Sequence, residues 1–459
     1  MQRHEAWIRL SSPFQSVFIL LIILLLAGSM IDAAPARAQA GGEETLDRDA
    51  KAAVIDSLTT ALNEIYVFPD VAKKIEKHLR SNLKKKKYDD ITTIEAFTRR
   101  LTEEMEEIAH DGHLWIRPAR EEELNRAQRD EPTDEEIAAN NARLAYRNYF
   151  FEKVERLPGN IGYLKFNGFS HSLGAGPTAI AAMNFIGNCD AIIIDLRDNG
   201  GGSPSMIQLI SSYFFEEPIH LNTFYIRKSD DYKQFWTQRH VEGNRLVDVP
   251  LYVLTSGRTY SGAEEFTYNM KNLERATIIG ETTGGGAHPT GLHIFADTKV
   301  AASIPFGRAI NPITETNWEG TGIEPHIQVH RDEALDVAKV EAMKKLLETS
   351  DEEWKKEGLR FTVERLEALR NPAEVPEEIM KRWAGDYGQR HVIFEDGALW
   401  YERDERPRYR MIPISKTLFC FEDIDFFKLE IETDEDGHPV ALIGHYDNGY
   451  TDRSPRDKE

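Results

Sequence analysis

The stretch Leu-Tyr-Val-Leu-Thr-Ser-Gly-Arg-Thr-Tyr-Ser-Gly-Ala-Glu-Glu-Phe, residues 251–266, combines a strand, a tight turn and the start of a helix. Its first five residues are large apolar or β-branched, which is typical of a strand buried on both faces. Ser261 follows the turn and directly precedes the predicted helix. The first N–H groups of a helix lack intrahelical partners, so they can stabilise an oxyanion beside such a serine. An ordinary helix N-cap serine also fits this fragment.

A second apolar strand, residues 191–196, ends in the loop Arg197-Asp-Asn-Gly-Gly-Gly-Ser203. Glycines permit positive φ and close backbone approach, so this loop can present N–H donors to an anion. The loop lacks the Lys-Ser/Thr pair of a phosphate-binding P-loop and the G-x-G-x-x-G spacing of a dinucleotide site. It therefore predicts either an anion-binding turn or a plain turn, but no nucleotide site.

Histidines in other loops are candidates for a general base, because an imidazole titrates near neutral pH. His113 lies in an Asp-Gly-His motif, with His110 as its local rival, and His288 in a glycine-rich loop is a second rival. Glu319 and Glu324 offer carboxylates that can orient a histidine, although a solvated surface position is the ordinary explanation for either one taken alone.

Strands and helices alternate through residues 159–347, which predicts βαβ units around a mostly parallel sheet. Short strands with Asp-Gly and Asn-Gly turns follow after residue 385 and predict an antiparallel module. The predicted segments are a signal peptide (1–40), an N-terminal helical subdomain (41–118), a charged linker or helix (119–158), a core (159–347), a helical connector (348–375) and a C-terminal β module (376–459).

The composition excludes some classes of function. A net charge of −21 argues against binding to nucleic acid or to anionic lipid. The two cysteines, Cys189 and Cys420, make no disulfide framework and lack the spacing of a metal site. We therefore predict no metal and no organic cofactor, and the oligomeric state stays open.

The N-terminus has the pattern of a secretory signal. Arg3 and Arg9 precede an apolar run of eleven residues, 17–27, and Ala38-Gln-Ala40 provides small residues for signal peptidase. The alternative is a membrane anchor, but eleven residues span only about 17 Å as a helix, against a hydrocarbon core of about 30 Å. We expect a secreted or periplasmic protein without stable membrane insertion after cleavage.

Taken together, these motifs resemble peptidase family S41, which includes C-terminal processing peptidases, tricorn-type peptidases and interphotoreceptor retinoid-binding protein modules. The resemblance covers residues 46–345 and implies an α/β fold of the ClpP/crotonase-like sandwich type. The matching motifs are Tyr66-Val-Phe-Pro69, Asp111-Gly-His113, Gly162-Tyr-Leu164, Asp195-Leu-Arg-x-Asn-Gly-Gly201, Ser261-Gly-Ala-Glu-Glu-Phe266, Gly280-Glu-x-Thr-Gly-Gly285 and Gly322-Ile-Glu-Pro325.

The resemblance implies a serine peptidase that acts on peptides or proteins. Ser261 would be the nucleophile, His113 the general base and Glu319 the carboxylate that orients it. The backbone amides of Gly201 and Gly262 would bind the oxyanion.

The chain also departs from the family pattern. The lysine of the processing-peptidase branch is replaced by glycines at 284–286, which favours a histidine base as in the tricorn branch. Residues 117–160 are too few for a PDZ domain. A non-catalytic ligand-binding protein on the same scaffold and a serine esterase remain the alternatives.

Overall fold

The computed structural model describes residues 46–127, 129, 132–404 and 406–457, so the predicted signal peptide lies outside the described residues. No helix within the described ranges is long and apolar enough to cross a bilayer. The α-helices of this part are α1 (Arg48–Ile65), α2 (Pro69–Lys84), α3 (Ile94–Ala109), α4 (Glu121–Ala127), α5 (Asp134–Tyr146), α6 (Ser172–Phe185), α7 (Pro204–Ser211), α8 (Gly262–Asn272), α9 (Ala334–Thr349), α10 (Glu353–Arg370) and α11 (Glu377–Trp383).

The strands of the described residues form five sheets. In chain order they are β1 (Trp115–Pro118), β2 (Phe151–Leu157), β3 (Ile161–Phe166), β4 (Ala191–Asp195), β5 (His220–Ile226), β6 (Asp231–Trp236), β7 (Leu251–Thr255), β8 (Thr277–Gly280), β9 (Thr290–Phe295), β10 (Val300–Pro305), β11 (Gly307–Ile310), β12 (Ile327–Gln328), β13 (Gly385–Tyr387), β14 (Arg390–Glu395), β15 (Ala398–Arg403), β16 (Tyr409–Arg410), β17 (Ile412–Pro413), β18 (Leu418–Cys420), β19 (Phe427–Thr433), β20 (Pro439–Tyr446) and β21 (Thr451–Pro455). The mixed α/β class predicted from the sequence is confirmed.

The central sheet has six strands in the order β12-β8-β7-β4-β3-β2. The pairs from β3 to β12 are parallel, and β2 is antiparallel to β3. Side chains of one face, such as Ile194 and Val253, pack with α6, α7 and α8, whereas Ile193 and Leu254 on the other face pack with α9 and α10. Because both faces are covered by helices, β4 and β7 are buried along their whole length.

The N-terminal helices pack on a smaller antiparallel sheet in the order β1-β10-β9. Strand β1 pairs with β10, with Ile116 opposite Ala302. This pairing joins the segment that carries His113 to a part of the chain almost two hundred residues later. The β1–β10 ladder is therefore what brings the candidate base toward the core.

Some elements differ from the sequence expectation. Helix α6 begins at Ser172, before Pro177, so the proline lies inside the helix and removes one backbone donor there. Strand β2 lies within the segment predicted as a linker and forms an edge of the central sheet. A further antiparallel sheet contains β5, β6 and β11. Many residues of these strands are polar, so their sequence has only a weak strand pattern.

The C-terminal part contains two antiparallel sheets, β13-β14-β15-β16 and β17-β18-β19-β20-β21. Its core holds aromatic side chains, among them Phe419 and Phe421, which are fully buried, whereas Phe426 is exposed. Cys189 and Cys420 are both buried and free. The predicted domain boundaries themselves remain predictions.

Replacement of Thr102 by Val is expected to lower the free energy of unfolding by about 1–3 kcal/mol. The Thr102 hydroxyl donates to the carbonyl of Ile116 (3.1 Å) and accepts from its amide (3.0 Å), so it ties α3 to β1. Chemical denaturation measures the change. Thr349→Val is the matched control, because the exposed Thr349 hydroxyl donates only within its own helix, to the Lys345 carbonyl. Equal losses in the two variants would contradict this role of Thr102.

Candidate active site

Ser261 lies at the N-terminus of α8 in an unusual backbone conformation, with φ 53° and ψ −119°. Non-glycine residues rarely adopt positive φ, and such strain is concentrated at functional sites. The Ser261 amide donates to Glu264 Oε2 at 2.8 Å, which holds the turn. The short link from β7 to α8 thus raises the serine above the carboxyl end of the parallel sheet.

The glycine loop after β4 packs directly against this serine. A Cβ atom added to Gly201 would lie 2.8 Å from Cβ of Ser261 and 2.6 Å from the nitrogen of Gly262. Gly201 has φ +102° and Gly202 has φ +140°, values that glycine adopts without strain. The loop therefore requires glycine both for its conformation and for its contact with the turn.

The backbone donors at this contact differ in part from the prediction. The Gly201 amide donates to the side-chain oxygen of Asn199 at 2.9 Å, so it is not free to bind an anion. The amides of Gly202 and Gly262 make no hydrogen bond among the described residues. A Cβ added to Gly262 would lie 2.8 Å from the Gly202 nitrogen, so these two amides lie close together. Of the expected pair, the Gly262 amide is thus unpaired among the described residues, and the Gly201 amide is engaged by Asn199.

Glu264 is buried beneath the turn and accepts four hydrogen bonds. Oε1 accepts from the Thr283 hydroxyl (2.5 Å) and the Gly285 amide (2.7 Å), and Oε2 accepts from the amides of Ser261 and Gly286, both at 2.8 Å. Burial raises the pKa of Glu264 to about 7, although each of these donors acts in the opposite direction. Since both of its oxygens are engaged, Glu264 joins the turn to the 284–286 loop and is poorly placed to act as a base.

Tyr260, the residue before the serine, is surrounded by glycines. A Cβ atom on Gly112 or on Gly286 would lie 2.6 Å or 2.5 Å from its hydroxyl oxygen, and one on Gly284 would lie 2.7 Å from its ring. Burial raises the pKa of Tyr260. The tyrosine ring thus fills the space beside the 284–286 loop, where any side chain on Gly286 would collide with it.

His113 contacts the other side of this arrangement. Its ring centroid lies 4.8 Å from that of Tyr260, and the residue is only 4% exposed. Neither ring nitrogen has a hydrogen-bond partner among the described residues, and this includes Ser261. Desolvation lowers the pKa of His113 to about 4. The structure thus brings His113 beside the residue preceding Ser261, with a neutral imidazole and a free lone pair.

A network of Asp111, His288 and Glu319 surrounds this histidine. Asp111 Oδ2 accepts from His288 Nδ1 (2.8 Å) and from the Tyr66 hydroxyl (3.1 Å), and Oδ1 accepts from the His113 amide (3.1 Å). Glu319 Oε2 accepts from the amides of Ala287 and His288. His288 is thus the residue that connects the two carboxylates.

Glu319 lies near His113 but makes no hydrogen bond to it. One oxygen of Glu319, one of Asp111 and one ring nitrogen of His113 all lie within 4.8 Å of one another. Glu319 Oε1 has no partner among the described residues, and desolvation raises the pKa of this carboxyl. The rivals Glu324 and His110 are both exposed at the surface. The structure therefore gathers His113, Glu319, Asp111 and His288, and it leaves Glu324 and His110 outside.

Sequence reasoning did not single out Tyr260 and Glu264 as parts of the site. Both lie in the quoted stretch 251–266, but their roles depend on glycines that are 21 or more positions away in the chain. The sequence offered one signal for Glu264. An acidic residue at the third position of a helix that follows a serine is the pattern of a capping box.

Two family models match the chain. The model for peptidase family S41 matches residues 160–329, and the model for the N-terminal domain of S41 peptidases in eukaryotic IRBP matches residues 46–153. The chain belongs to peptidase family S41. The resemblance predicted from the motifs is thereby confirmed, and the family comprises hydrolases that act on peptides or proteins.

Solved structures similar to this S41 chain include a candidate peptidase from Parabacteroides merdae, with 20% identity, 64% of this chain and 96% of that chain covered, and a TM-score of 0.45. A lipoprotein from Streptococcus agalactiae has 15% identity, coverage of 68% and 100%, and a TM-score of 0.40. The photosystem II D1 C-terminal processing protease has 12% identity, coverage of 61% and 93%, and a TM-score of 0.38.

Replacement of Glu264 by Gln is expected to destabilise this S41 peptidase by about 1–3 kcal/mol, because the new NH₂ group faces N–H and O–H donors. Urea denaturation measures the loss. Glu265→Gln is the matched control: Glu265 is also buried and burial also raises its pKa to about 7, but among the described residues its carboxyl interacts with the Asn222 side chain and with no backbone donor. A loss in Glu264→Gln no larger than in Glu265→Gln would argue against the four-donor role.

Proposed function

We propose that this chain is a serine peptidase that cleaves peptide bonds through an acyl-enzyme on Ser261. The observation that carries the proposal is the position of Ser261, at positive φ on the N-terminus of α8, beside the amides of Gly202 and Gly262, which have no partner in the part of the chain that the structure describes. Acyl transfer to a serine uses an activated hydroxyl as the nucleophile, and backbone donors stabilise the oxyanion that forms. Membership of a peptidase family supports an amide as the bond that is cleaved.

The proposed reaction begins with attack of Ser261 Oγ on the substrate carbonyl carbon, while His113 accepts the hydroxyl proton. The amides of Gly202 and Gly262 then donate to the oxyanion of the tetrahedral intermediate, and one such donor contributes about 3 kcal/mol. His113 returns the proton to the leaving amine. Water repeats the sequence on the acyl-enzyme and releases the acid product.

His113 is the preferred base because its ring contacts Tyr260, the residue next to the nucleophile, and both of its nitrogens are unpaired. His288 is less suited to this role, since its Nδ1 donates to Asp111. In catalytic sites of uncomplexed enzymes the nucleophile–base hydrogen bond is often long, and it tightens when substrate binds. A small movement of the His113 ring toward Ser261 is therefore part of the proposal.

Glu319 and Asp111 are the candidates for orienting His113 and stabilising the imidazolium. Both carboxylates are fixed by donors on their other sides: Glu319 by the amides of Ala287 and His288, and Asp111 by the Tyr66 hydroxyl and by His288. The free oxygen of Glu319, Oε1, is the atom that has capacity for a further hydrogen bond. We therefore retain Glu319 as the proposed orienting carboxylate, with Asp111 as its neighbour in the same network.

Ser261→Ala is expected to abolish both cleavage of a peptide library and labelling by a fluorophosphonate probe, because both need an activated hydroxyl at this position. Mass spectrometry of the library and of the labelled protein provides the measurements. Ser454→Ala, on the C-terminal strand β21, is the control and retains full labelling. Peptide cleavage that survives in Ser261→Ala would sink the proposal. Ester hydrolysis without any peptide cleavage would favour the esterase alternative.

His113→Ala is expected to reduce the rate of fluorophosphonate labelling by about 10²–10⁴-fold, the usual contribution of a positioned base. His110→Asn is the matched control: His110 lies three positions earlier, is exposed and has φ 51°, which asparagine tolerates. Circular dichroism shows whether each variant is folded. Labelling of a folded His113→Ala protein at the rate of His110→Asn would exclude His113 as the base.

A further inference from the structure

We propose that Asp111, His113 and Glu319 form a binding site for a zinc ion, and that zinc bound there inhibits the peptidase by occupying the lone pair of His113. The zinc site itself does not depend on the function proposed above. The inhibitory effect does rest on that function, because it assumes that His113 serves Ser261.

The first observation is the convergence of three metal-ligating atoms in a buried place. Asp111 and His113 lie in the loop between α3 and β1, and Glu319 lies in the loop before β12, yet one ligand atom of each lies within 4.8 Å of the others. Asp111 is 1% exposed, His113 is 4% exposed, and the side chain of Glu319 is 13% exposed. The cluster is therefore shielded from bulk water, whereas carboxylates at the protein surface would be solvated.

The second observation is that two of the three residues, His113 and Glu319, have side-chain atoms without partners among the described residues, whereas both oxygens of Asp111 accept hydrogen bonds. Nδ1 and Nε2 of His113 and Oε1 of Glu319 are buried without a hydrogen bond among the described residues. Buried polar atoms in folded proteins are almost always paired, and each one left unpaired is costly. A cation coordinated by His113 and Glu319 would satisfy one nitrogen and the free oxygen together.

The chemistry of the three ligands selects zinc among common cations. Zinc binds imidazole nitrogen and carboxylate oxygen at about 2.0–2.2 Å in tetrahedral geometry, and a water molecule often takes the fourth position. Calcium and magnesium prefer six or more oxygen ligands, which three residues with one imidazole do not supply. Ligand atoms of a tetrahedral zinc site are about 3.4 Å apart, so any pair near the 4.8 Å limit of this cluster must move closer together when zinc binds.

The surroundings of the cluster resemble the outer shell of a metal site. Metal-ligating carboxylates are usually fixed by hydrogen bonds on their other lone pairs. Here Asp111 accepts from the Tyr66 hydroxyl and from His288 Nδ1, and Glu319 accepts from the amides of Ala287 and His288. These bonds fix the two carboxylates near His113 before any ion binds.

The test uses the full mature chain, freed of metal by a chelator, and titrates Zn²⁺ against a chromophoric zinc indicator. We expect one ion per chain with a submicromolar dissociation constant. His113→Ala and Glu319→Gln each lose more than tenfold in affinity, and His288→Ala, which removes an outer-shell bond, loses about 10–100-fold. Cobalt(II) provides a second measurement, because a four-coordinate site gives visible absorption that His113→Ala abolishes.

The matched control is His330→Ala. His330 also has two carboxylates nearby, Glu281 at 3.8 Å and Asp332 at 3.5 Å, but its side chain is 61% exposed. Zinc affinity in this variant is expected to equal that of the unchanged protein. Circular dichroism confirms that each variant is folded, so that a loss of affinity is not a loss of structure.

Inhibition is measured as fluorophosphonate labelling of Ser261 with and without one equivalent of Zn²⁺. Labelling is expected to fall at least tenfold and to recover when the chelator is added. Zinc affinity that is unchanged in folded His113→Ala and Glu319→Gln, or weaker than about 10 μM in the unchanged protein, would overturn the site. Tight zinc binding with undiminished labelling would overturn the inhibition. If the zinc-free protein shows no labelling, the proposed function fails, and the indicator titration still decides the site.

Discussion

The carboxylate of Glu264 is the point on which the geometry of the site depends. It binds the amide of Ser261 on one side and the amides of Gly285 and Gly286 on the other, and it does so at the N-terminus of α8, where the helix dipole favours negative charge. This single group therefore sets the distance between the serine turn and the loop that faces it.

The same contact explains the departure from the lysine-containing branch of the family. With Gly285 and Gly286 drawn onto Glu264, the ring of Tyr260 lies against the loop and occupies the space that a side chain at 286 would need. The ring also contacts His113 on its other side. Tyr260, the glycines of the 284–286 loop and His113 from the loop between α3 and β1 thus pack against one another. A side chain at position 284 or 286 would collide with the Tyr260 ring.

The sequence predicted well what depends on neighbouring residues and less well what depends on distant ones. The strand, turn and helix around Ser261 follow from apolar periodicity and were placed within a residue or two. Whether the Gly201 amide is free or engaged depends on the side chain of Asn199, whose rotamer the sequence does not reveal. The pairing of β1 with β10, which delivers His113, is a contact across almost two hundred residues, and no local pattern encodes it.

His113 has a neutral imidazole in a buried place, and this has two chemical consequences that compete with each other. Burial removes water from both ring nitrogens and favours the uncharged form, which is the form that accepts a proton. An uncharged imidazole flanked by two carboxylates is also the form that binds a divalent cation. A proton from serine and a metal ion need the same electron pair. The proposed base role and the proposed zinc site therefore compete for this electron pair, and only one of the two can use His113 at a time.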